Sequence, residues 1–122
     1  MTRILIVEDE MIVAEDIKST LESLGYSVMG ICSTGEDATR TAMEKRPDLI
    51  LMDVKLNGRM TGIEAAEKIA HLNIPIIFLT AYANEAVLGE TNSSRFGYIV
   101  KPFEEKNLDN TIKAVLQKYR NA

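Results

Sequence analysis

The chain has 122 residues, of which 46% are hydrophobic and 26% charged, and this length and composition predict one globular domain over residues 1–122. The formal net charge of −4 argues against a general binder of nucleic acid or anionic membranes, because such binding depends on clustered Lys and Arg. Cys32 is the only cysteine, which excludes an internal disulfide and a cysteine-based zinc site.

The sequence carries no signal for a membrane or for export. No apolar stretch approaches the ~20 residues that a membrane-spanning helix needs. The N-terminus lacks the charged and apolar regions of a signal peptide. Together with the single cysteine, these features favour a cytoplasmic protein without membrane insertion.

Five short apolar runs predict β-strands. They lie at residues 4–7, 28–32, 49–52, 76–79 and 98–100. Most of these runs are continuous rather than alternating, which is typical of strands that are covered on both faces.

Helical patterns fill the intervals between these runs. The first stops at Gly25, and its apolar positions are Ile12, Val13, Ile17, Leu21 and Leu24. The second covers residues 34–46 and ends before a proline. The third opens with a capping box of Thr61 and Glu64, and the residues expected to face inward are Ile63, Ala66, Ile69 and Ala70. The fourth covers residues 84–95, and the fifth is marked by Leu108, Ile112, Val115, Leu116 and Tyr119.

This alternation of strand and helix predicts an α/β fold, a doubly wound five-stranded parallel sheet with helices on both faces. Ligands bind outside the carboxyl ends of the strands in such folds. The residues found there are, in chain order, Glu8, Asp9 and Glu10 after strand one, Asp53 after strand three, Thr80 after strand four and Lys101 after strand five.

These side chains suit a metal and a phosphoryl group. Carboxylates from separate strands offer oxygen donors to a hard cation, and Mg²⁺ needs few of them because it keeps several waters. A phosphoryl group on one carboxylate could reach the metal, the Thr80 hydroxyl and the Lys101 ammonium. Adjacent acids after a strand can equally be a solvated helix start, where negative charge favours the helix dipole.

On these residues the chain resembles the receiver domain of two-component response regulators, over essentially its whole length. The matching residues are the pair Glu8-Asp9, Asp53, Thr80 with Ala81, and Lys101-Pro102 after the aromatic Tyr98. Each feature alone is weakly specific, whereas all of them together, each at the end of the correct strand, are highly specific. The resemblance implies a flavodoxin-like (βα)5 fold with strand order 2-1-3-4-5.

The resemblance also implies the chemistry. The residue matching Asp53 accepts a phosphoryl group from the phosphohistidine of a histidine kinase or phosphotransfer protein. Those matching Glu8 and Asp9 hold Mg²⁺ together with Asp53 and the backbone carbonyl of Lys55. Such a domain assists its own phosphorylation and dephosphorylation through Asp53 and Lys101, and is not a conventional enzyme.

The remaining matched residues would transmit the signal. Those matching Thr80 and Lys101 contact the phosphoryl group, and the aromatic matching Tyr98 changes rotamer on activation. We expect displacement of Thr80 to open or close a slot for Tyr98 and to rearrange the predicted fourth helix, where Gly89 costs about 1 kcal/mol relative to Ala. The surface formed by predicted helix four, strand five and helix five would meet a downstream protein, and it is a candidate for homodimer contacts.

One stretch departs from the common pattern of the family. Many receivers carry Met-Pro at the third and fourth positions after the aspartate, whereas Leu56-Asn57 stand there in this chain. The loop is also one residue longer before Gly62. This pattern is similar to that of receivers attached to, or encoded beside, sensor kinases rather than DNA-binding regulators.

Two other functions disagree with these residues. A phosphatase of the haloacid dehalogenase type needs a second acid two residues after its nucleophile, where this chain has Lys55. A flavin or nucleotide binder needs a phosphate-cradling loop after strand one, where this chain has carboxylates. The alternatives that stay open are a phosphorylation-independent, receiver-like interaction module and a fragment of a hybrid sensor kinase.

Overall fold

The computed structural model describes residues 2–81 and 96–121, and the predicted fourth helix at residues 84–95 lies outside them. The strands are β1 (Arg3–Val7), β2 (Ser27–Cys32), β3 (Leu49–Asp53), β4 (Ile76–Thr80) and β5 (Phe96–Val100). The helices are α1 (Met11–Ser23), α2 (Gly35–Lys45), α3 (Gly62–Lys68), a short 3-10 helix (Ala70–Leu72) and the C-terminal helix (Glu105–Asn121).

The strands form one parallel sheet with the order β2-β1-β3-β4-β5, which confirms the predicted doubly wound fold. The register aligns the strand ends: Val7 pairs with Met52, and Thr80 pairs with Val100. Asp53, which follows Met52, pairs with a residue one before Thr80. The residues that end these strands or directly follow them therefore lie at one edge of the sheet.

Two apolar cores cover the two faces of the sheet, which explains why the strand runs are continuous. The core beneath α2 and α3 includes Leu5, Ile50, Met52, Ala38, Ala42, Ala65 and Phe78. The core beneath α1 and the C-terminal helix includes Ile4, Ile6, Ile17, Leu21, Ile77, Leu108 and Ile112. None of the helices in the described ranges is both long enough and apolar enough to cross a membrane.

The helix boundaries follow from the predicted signals. After α1, Gly25 adopts a φ of +95°, a left-handed conformation that glycine takes without the steric cost of a side chain. At α2, the hydroxyl of Thr34 accepts a hydrogen bond from the amide of Asp37 at 3.1 Å. At α3, Thr61 and Glu64 form the predicted capping box.

The inward faces of α1 and α3 differ in detail from the prediction. Ile12 is 86% exposed, because the buried stripe of α1 runs through Ala14, Ile17 and Leu21. At 3.6 residues per turn, Ile12 points roughly 140° away from Ile17. In α3, Ala65 is fully buried, although the prediction did not place it inward.

Candidate functional site

A pocket of about 300 Å³ opens at the carboxyl edge of the sheet. Its lining includes Asp9, Glu10, Asp53, Val54, Lys55, Thr80, Ala81 and Lys101. Glu8 lies beneath it and is only 1% exposed. The residues predicted from separate strand ends are thus brought together, with the exception of Tyr98.

The ammonium group of Lys101 joins two of the carboxylates. Its Nζ donates hydrogen bonds to Oε1 of Glu8 and to Oδ2 of Asp53, each at 2.8 Å. Oδ1 of Asp53 accepts a hydrogen bond from the amide of Lys55 at 3.2 Å. Because two buried like charges repel, the cation between Glu8 and Asp53 compensates part of the cost of placing both acids at this edge.

Burial and these contacts shift the pKa values of both partners. Burial raises the pKa of the Glu8 carboxyl, and the hydrogen bond from Lys101 lowers it only in part. Burial alone would lower the pKa of the Lys101 ammonium, but its hydrogen bonds to Asp53 and Glu8 outweigh burial and raise that pKa. The two neighbouring carboxylates therefore favour the charged form of Lys101.

The acidic loop after β1 offers a donor set that fits a divalent cation. Carboxylate oxygens of Glu8, Asp9 and Glu10 all lie within 4.8 Å of one another. One oxygen of Glu8 is engaged by Lys101, and the other accepts the amide of Glu10 at 3.2 Å. Asp9 lines the pocket directly. These hard oxygen donors suit Mg²⁺, and Asp9 is better placed than Glu8 to hold the ion without an intervening water.

Thr80 lines the pocket at the end of β4, whereas Tyr98 lies two positions before the end of β5. The Thr80 residue is 3% exposed and lines the pocket, and its backbone carbonyl accepts the amide of Lys101 at 2.7 Å. The Tyr98 ring stacks on Phe78, with 5.9 Å between ring centroids. Tyr98 lines a second groove, shared with Phe103 and residues of the C-terminal helix. The pocket and the Tyr98 ring are thus separate.

Behind the pocket, Gly62 lies very close to the backbone that follows β3, and the sequence did not predict this approach. The amide of Gly62 donates to the carbonyl of Val54 at 2.9 Å. A Cβ built on Gly62 would overlap the carbonyl oxygen of Asp53 and would lie 3.0 Å from Cγ of Met52. Only glycine fits at this first position of α3, and a glycine directly inside a capping box was the signal that could have revealed it.

Comparison with known proteins identifies close relatives along nearly the whole chain. The family model described as the response regulator receiver domain matches residues 4–113. The phyllosphere-induced regulator PhyR of Methylorubrum extorquens is 38% identical over 117 residues, covering 94% of this chain and 43% of PhyR. The transcriptional regulatory protein PdtaR of Mycobacterium tuberculosis is 35% identical over 120 residues, covering 97% of this chain and 58% of PdtaR. The chain therefore spans about half the length of these curated relatives.

Solved structures show the same similarity. The signal receiver domain of a modulated diguanylate cyclase from Desulfovibrio desulfuricans superposes with a TM-score of 0.88 at 35% identity, covering 99% of this chain and 98% of that chain. The anti-anti-sigma factor PhyR of Bartonella quintana gives a TM-score of 0.86 at 35% identity, covering 98% of this chain and 49% of that chain. The chemotaxis protein CheY4 of Vibrio cholerae gives 0.83 at 28% identity, covering 94% of this chain and 98% of that chain.

Proposed function

The chain belongs to the response regulator receiver domain family, and we propose that it is a phosphoryl-accepting signalling switch of a two-component system. The observation that supports this most is the position of Asp53. Its carboxylate lies at the end of a buried strand, in a pocket that also contains Asp9, Thr80 and Lys101. A nucleophile, a cation and a set of metal-binding oxygens converge there, which is what phosphoryl transfer to a carboxylate requires.

The proposed reaction is an in-line transfer to an oxygen of Asp53. A carboxylate oxygen forms a bond to phosphorus while the bond between phosphorus and the donor histidine nitrogen breaks, and the electron pair of that bond stays on the nitrogen. Bound Mg²⁺ would neutralise charge on the phosphoryl oxygens. Asp9, Asp53 and the Lys55 carbonyl would hold the ion directly, and Glu8 would act largely through water.

Lys101 and Thr80 would both contact the phosphoryl group. The Lys101 ammonium already lies 2.8 Å from Asp53 and can follow the phosphoryl oxygens as a point charge. The Thr80 hydroxyl, at the neighbouring strand end, would donate to a phosphoryl oxygen. Movement of Thr80 toward that oxygen would be sensed by Tyr98 two strand positions away across the β4–β5 pair. We propose that the face of β5 and the C-terminal helix then changes its fit to a partner.

Partners are proposed from the chemistry and from relatives. A receiver needs a phosphohistidine donor, so a histidine kinase or a phosphotransfer protein is the upstream partner. The Bartonella quintana relative is called an anti-anti-sigma factor, which favours a protein as the downstream target of this chain also. We propose that these events take place in the cytoplasm, and that the chain is one domain that assists its own phosphorylation rather than a conventional enzyme.

Cooperative binding of Mg²⁺ and beryllofluoride, a stable mimic of an aspartyl phosphoryl group, tests the proposal. Calorimetry should show that each ligand tightens the binding of the other, because the anion would bridge Asp53, the metal, Thr80 and Lys101. The matched variant Asp53→Asn should lose the anion response. Independent binding of the two ligands to the unaltered protein would contradict the proposed switch.

A further inference from the structure

Strand β2 ends at the buried Cys32, whose thiol has no part in the proposed reaction, and the segment that starts there contacts two loops that lead to the pocket. The carbonyl oxygen of Cys32 accepts a hydrogen bond from the amide of Glu8 at 2.9 Å. Two residues later, Thr34 forms an isolated parallel bridge with Asn57, in the loop that follows Asp53. The segment 32–35 therefore touches the acidic loop on one side and the loop after Asp53 on the other.

Gly35 has little space for a side chain, because Met60 lies against it. A Cβ built on Gly35 would lie 3.0 Å from Cβ of Met60 and 3.1 Å from its Cγ and Sδ. Met60 is half-buried and packs on the core beneath α2 and α3. Because packed interiors transmit even small displacements, any group added at Gly35 must move Met60.

The loop that carries Met60 is tied to the metal-binding side of the pocket. At its start, the amide of Lys55 donates to Asp53 at 3.2 Å. At its end, the amide of Gly62 donates to the carbonyl of Val54 at 2.9 Å. Between these anchors the loop meets the beginning of α2 through Asn57 and Met60. A displacement of Met60 would therefore be carried along the loop toward Lys55.

We propose that residues 32–35 form a positioning brace, which fixes the acidic loop after β1 relative to the loop after Asp53. Gly35 and Met60 are positioning residues that set the distance between Asp9 and the Lys55 carbonyl, and thereby the affinity of the pocket for a divalent cation. This inference rests on the proposed function, because it assigns these two groups to one metal site. It gives the otherwise unreactive end of β2 a role in that site.

The substitution Gly35→Ala tests the brace, with Gly30→Ala as the matched control. Alanine is the better helix former, so the change at Gly35 does not weaken α2 by propensity. A Cβ on Gly30 would meet only Leu5, at 3.9 Å, which is ordinary contact. We expect Gly35→Ala to weaken Mg²⁺ binding by roughly tenfold, the lower end of the effect of outer-shell substitutions. Gly30→Ala should bind Mg²⁺ as the unaltered protein does.

Two further measurements distinguish a displaced loop from a general loss of structure. In the metal-free protein, the amide resonances of Lys55 and Gly62 should shift in Gly35→Ala and stay in place in Gly30→Ala. The double variant Gly35→Ala with Met60→Ala should lose less affinity than the two single losses combined, because removing Cγ and Sδ relieves two of the three close contacts of the new methyl group and leaves only that with Cβ of Met60.

Unchanged Mg²⁺ affinity in Gly35→Ala, or equal weakening in Gly30→Ala, would overturn the brace and leave the proposed function intact. If the unaltered protein binds no Mg²⁺, the proposed function fails first and the brace fails with it as a determinant of metal affinity. If the losses of Mg²⁺ affinity caused by the two substitutions add fully in the double variant, Met60 does not transmit the displacement.

Discussion

Lys101 and Asp53 are separated by 48 positions in the chain, yet Nζ of Lys101 donates a hydrogen bond to Oδ2 of Asp53 at 2.8 Å. The same ammonium contacts Oε1 of Glu8 at 2.8 Å. One cation thus holds a buried acid and a pocket-lining acid together. Phosphorylation of Asp53 would replace one of these contacts, so we expect the chemical change to alter packing first at this pair.

Asp53→Asn should abolish covalent phosphorylation. After treatment with acetyl phosphate and Mg²⁺, intact-mass spectrometry should show one added phosphoryl group on the unaltered protein and none on the variant, because the amide is not a nucleophile toward phosphorus. Asp48→Asn is the matched control, since Asp48 is exposed and hydrogen-bonded to the backbone of Arg3. Retained labelling of Asp53→Asn would refute the assignment of the phosphoacceptor.

In Lys101→Ala, phosphorylation should persist while the conformational response to it weakens. Asp53 keeps its place at the end of β3, so the variant should still accept a phosphoryl group. The conformational response should be reduced, because a ligand shifts an equilibrium only through contacts that differ between the two states. NMR shift changes on addition of beryllofluoride should shrink in Lys101→Ala and persist in Lys106→Ala, an exposed lysine on the C-terminal helix. Undiminished shift changes in Lys101→Ala would count against this role.

Substitutions of Asp9 and Glu8 should weaken the binding of Mg²⁺ to different extents. Both oxygens of Glu8 already accept hydrogen bonds, from Lys101 and from the amide of Glu10, whereas Asp9 lines the pocket. Glu8→Gln should weaken Mg²⁺ binding by roughly tenfold, as for an outer-shell group, and Asp9→Ala should weaken it more. Metal titrations of both variants decide the order, with the exposed Glu15→Gln as the control. The reverse order would contradict the ranking.

The sequence predicted the strands and the strand-end residues because each of these features is local. Asp53 and Thr80 directly follow their own apolar runs, and the parallel alignment of strands brings such positions to one edge. Contacts between distant segments were not predictable in this way. A glycine inside the capping box marks position 62 as unusual, but it does not indicate that the Asp53 carbonyl is the group that Gly62 approaches. No periodicity joins Gly35 to Met60.

Gly62→Ala should destabilise the fold. The added Cβ would overlap the Asp53 carbonyl oxygen, which belongs to the backbone and cannot rotate away. We expect a loss of about 2 kcal/mol in the free energy of unfolding, within the range typical of overpacking. Urea denaturation measures it, with Gly30→Ala as a control that has space for a methyl group. A change below about 0.5 kcal/mol, the usual range for neutral surface substitutions, would show that the approach is looser than the structure indicates.

Tyr26 should make the stability of the protein sensitive to alkaline pH. Its hydroxyl donates to Oδ1 of Asp109 at 2.8 Å, a contact that joins the segment after α1 to the C-terminal helix. Burial, together with the hydrogen bond and negative charge of Asp109, raises the pKa of Tyr26 from 10.0 to about 12. Lys113 also contacts Asp109, at 3.0 Å.

The direction of the pH effect follows from this shift. A phenol whose pKa is raised in the folded state stabilises the fold fully below the unfolded-state pKa of 10.0, and that contribution is lost as the pH rises through about 12. Tyr26→Phe removes this dependence, so its stability should fall less between those two pH values than that of the unaltered protein. The urea midpoints of both proteins, measured at several pH values across this interval, test the difference. An equal fall of the midpoint with pH in the two proteins would disprove it.

Asp109→Asn distinguishes the two causes of the raised pKa of Tyr26, which are burial and the contact with Asp109. It removes the negative charge next to the phenol but leaves Tyr26 partly buried, so the pKa of Tyr26 should move back toward 10.0 without reaching it. NMR titration of a ¹³C-labelled Tyr26 ring follows this residue separately from the other tyrosines. If the pKa stays near 12 in Asp109→Asn, burial alone accounts for the shift and the contact with the C-terminal helix contributes nothing to it.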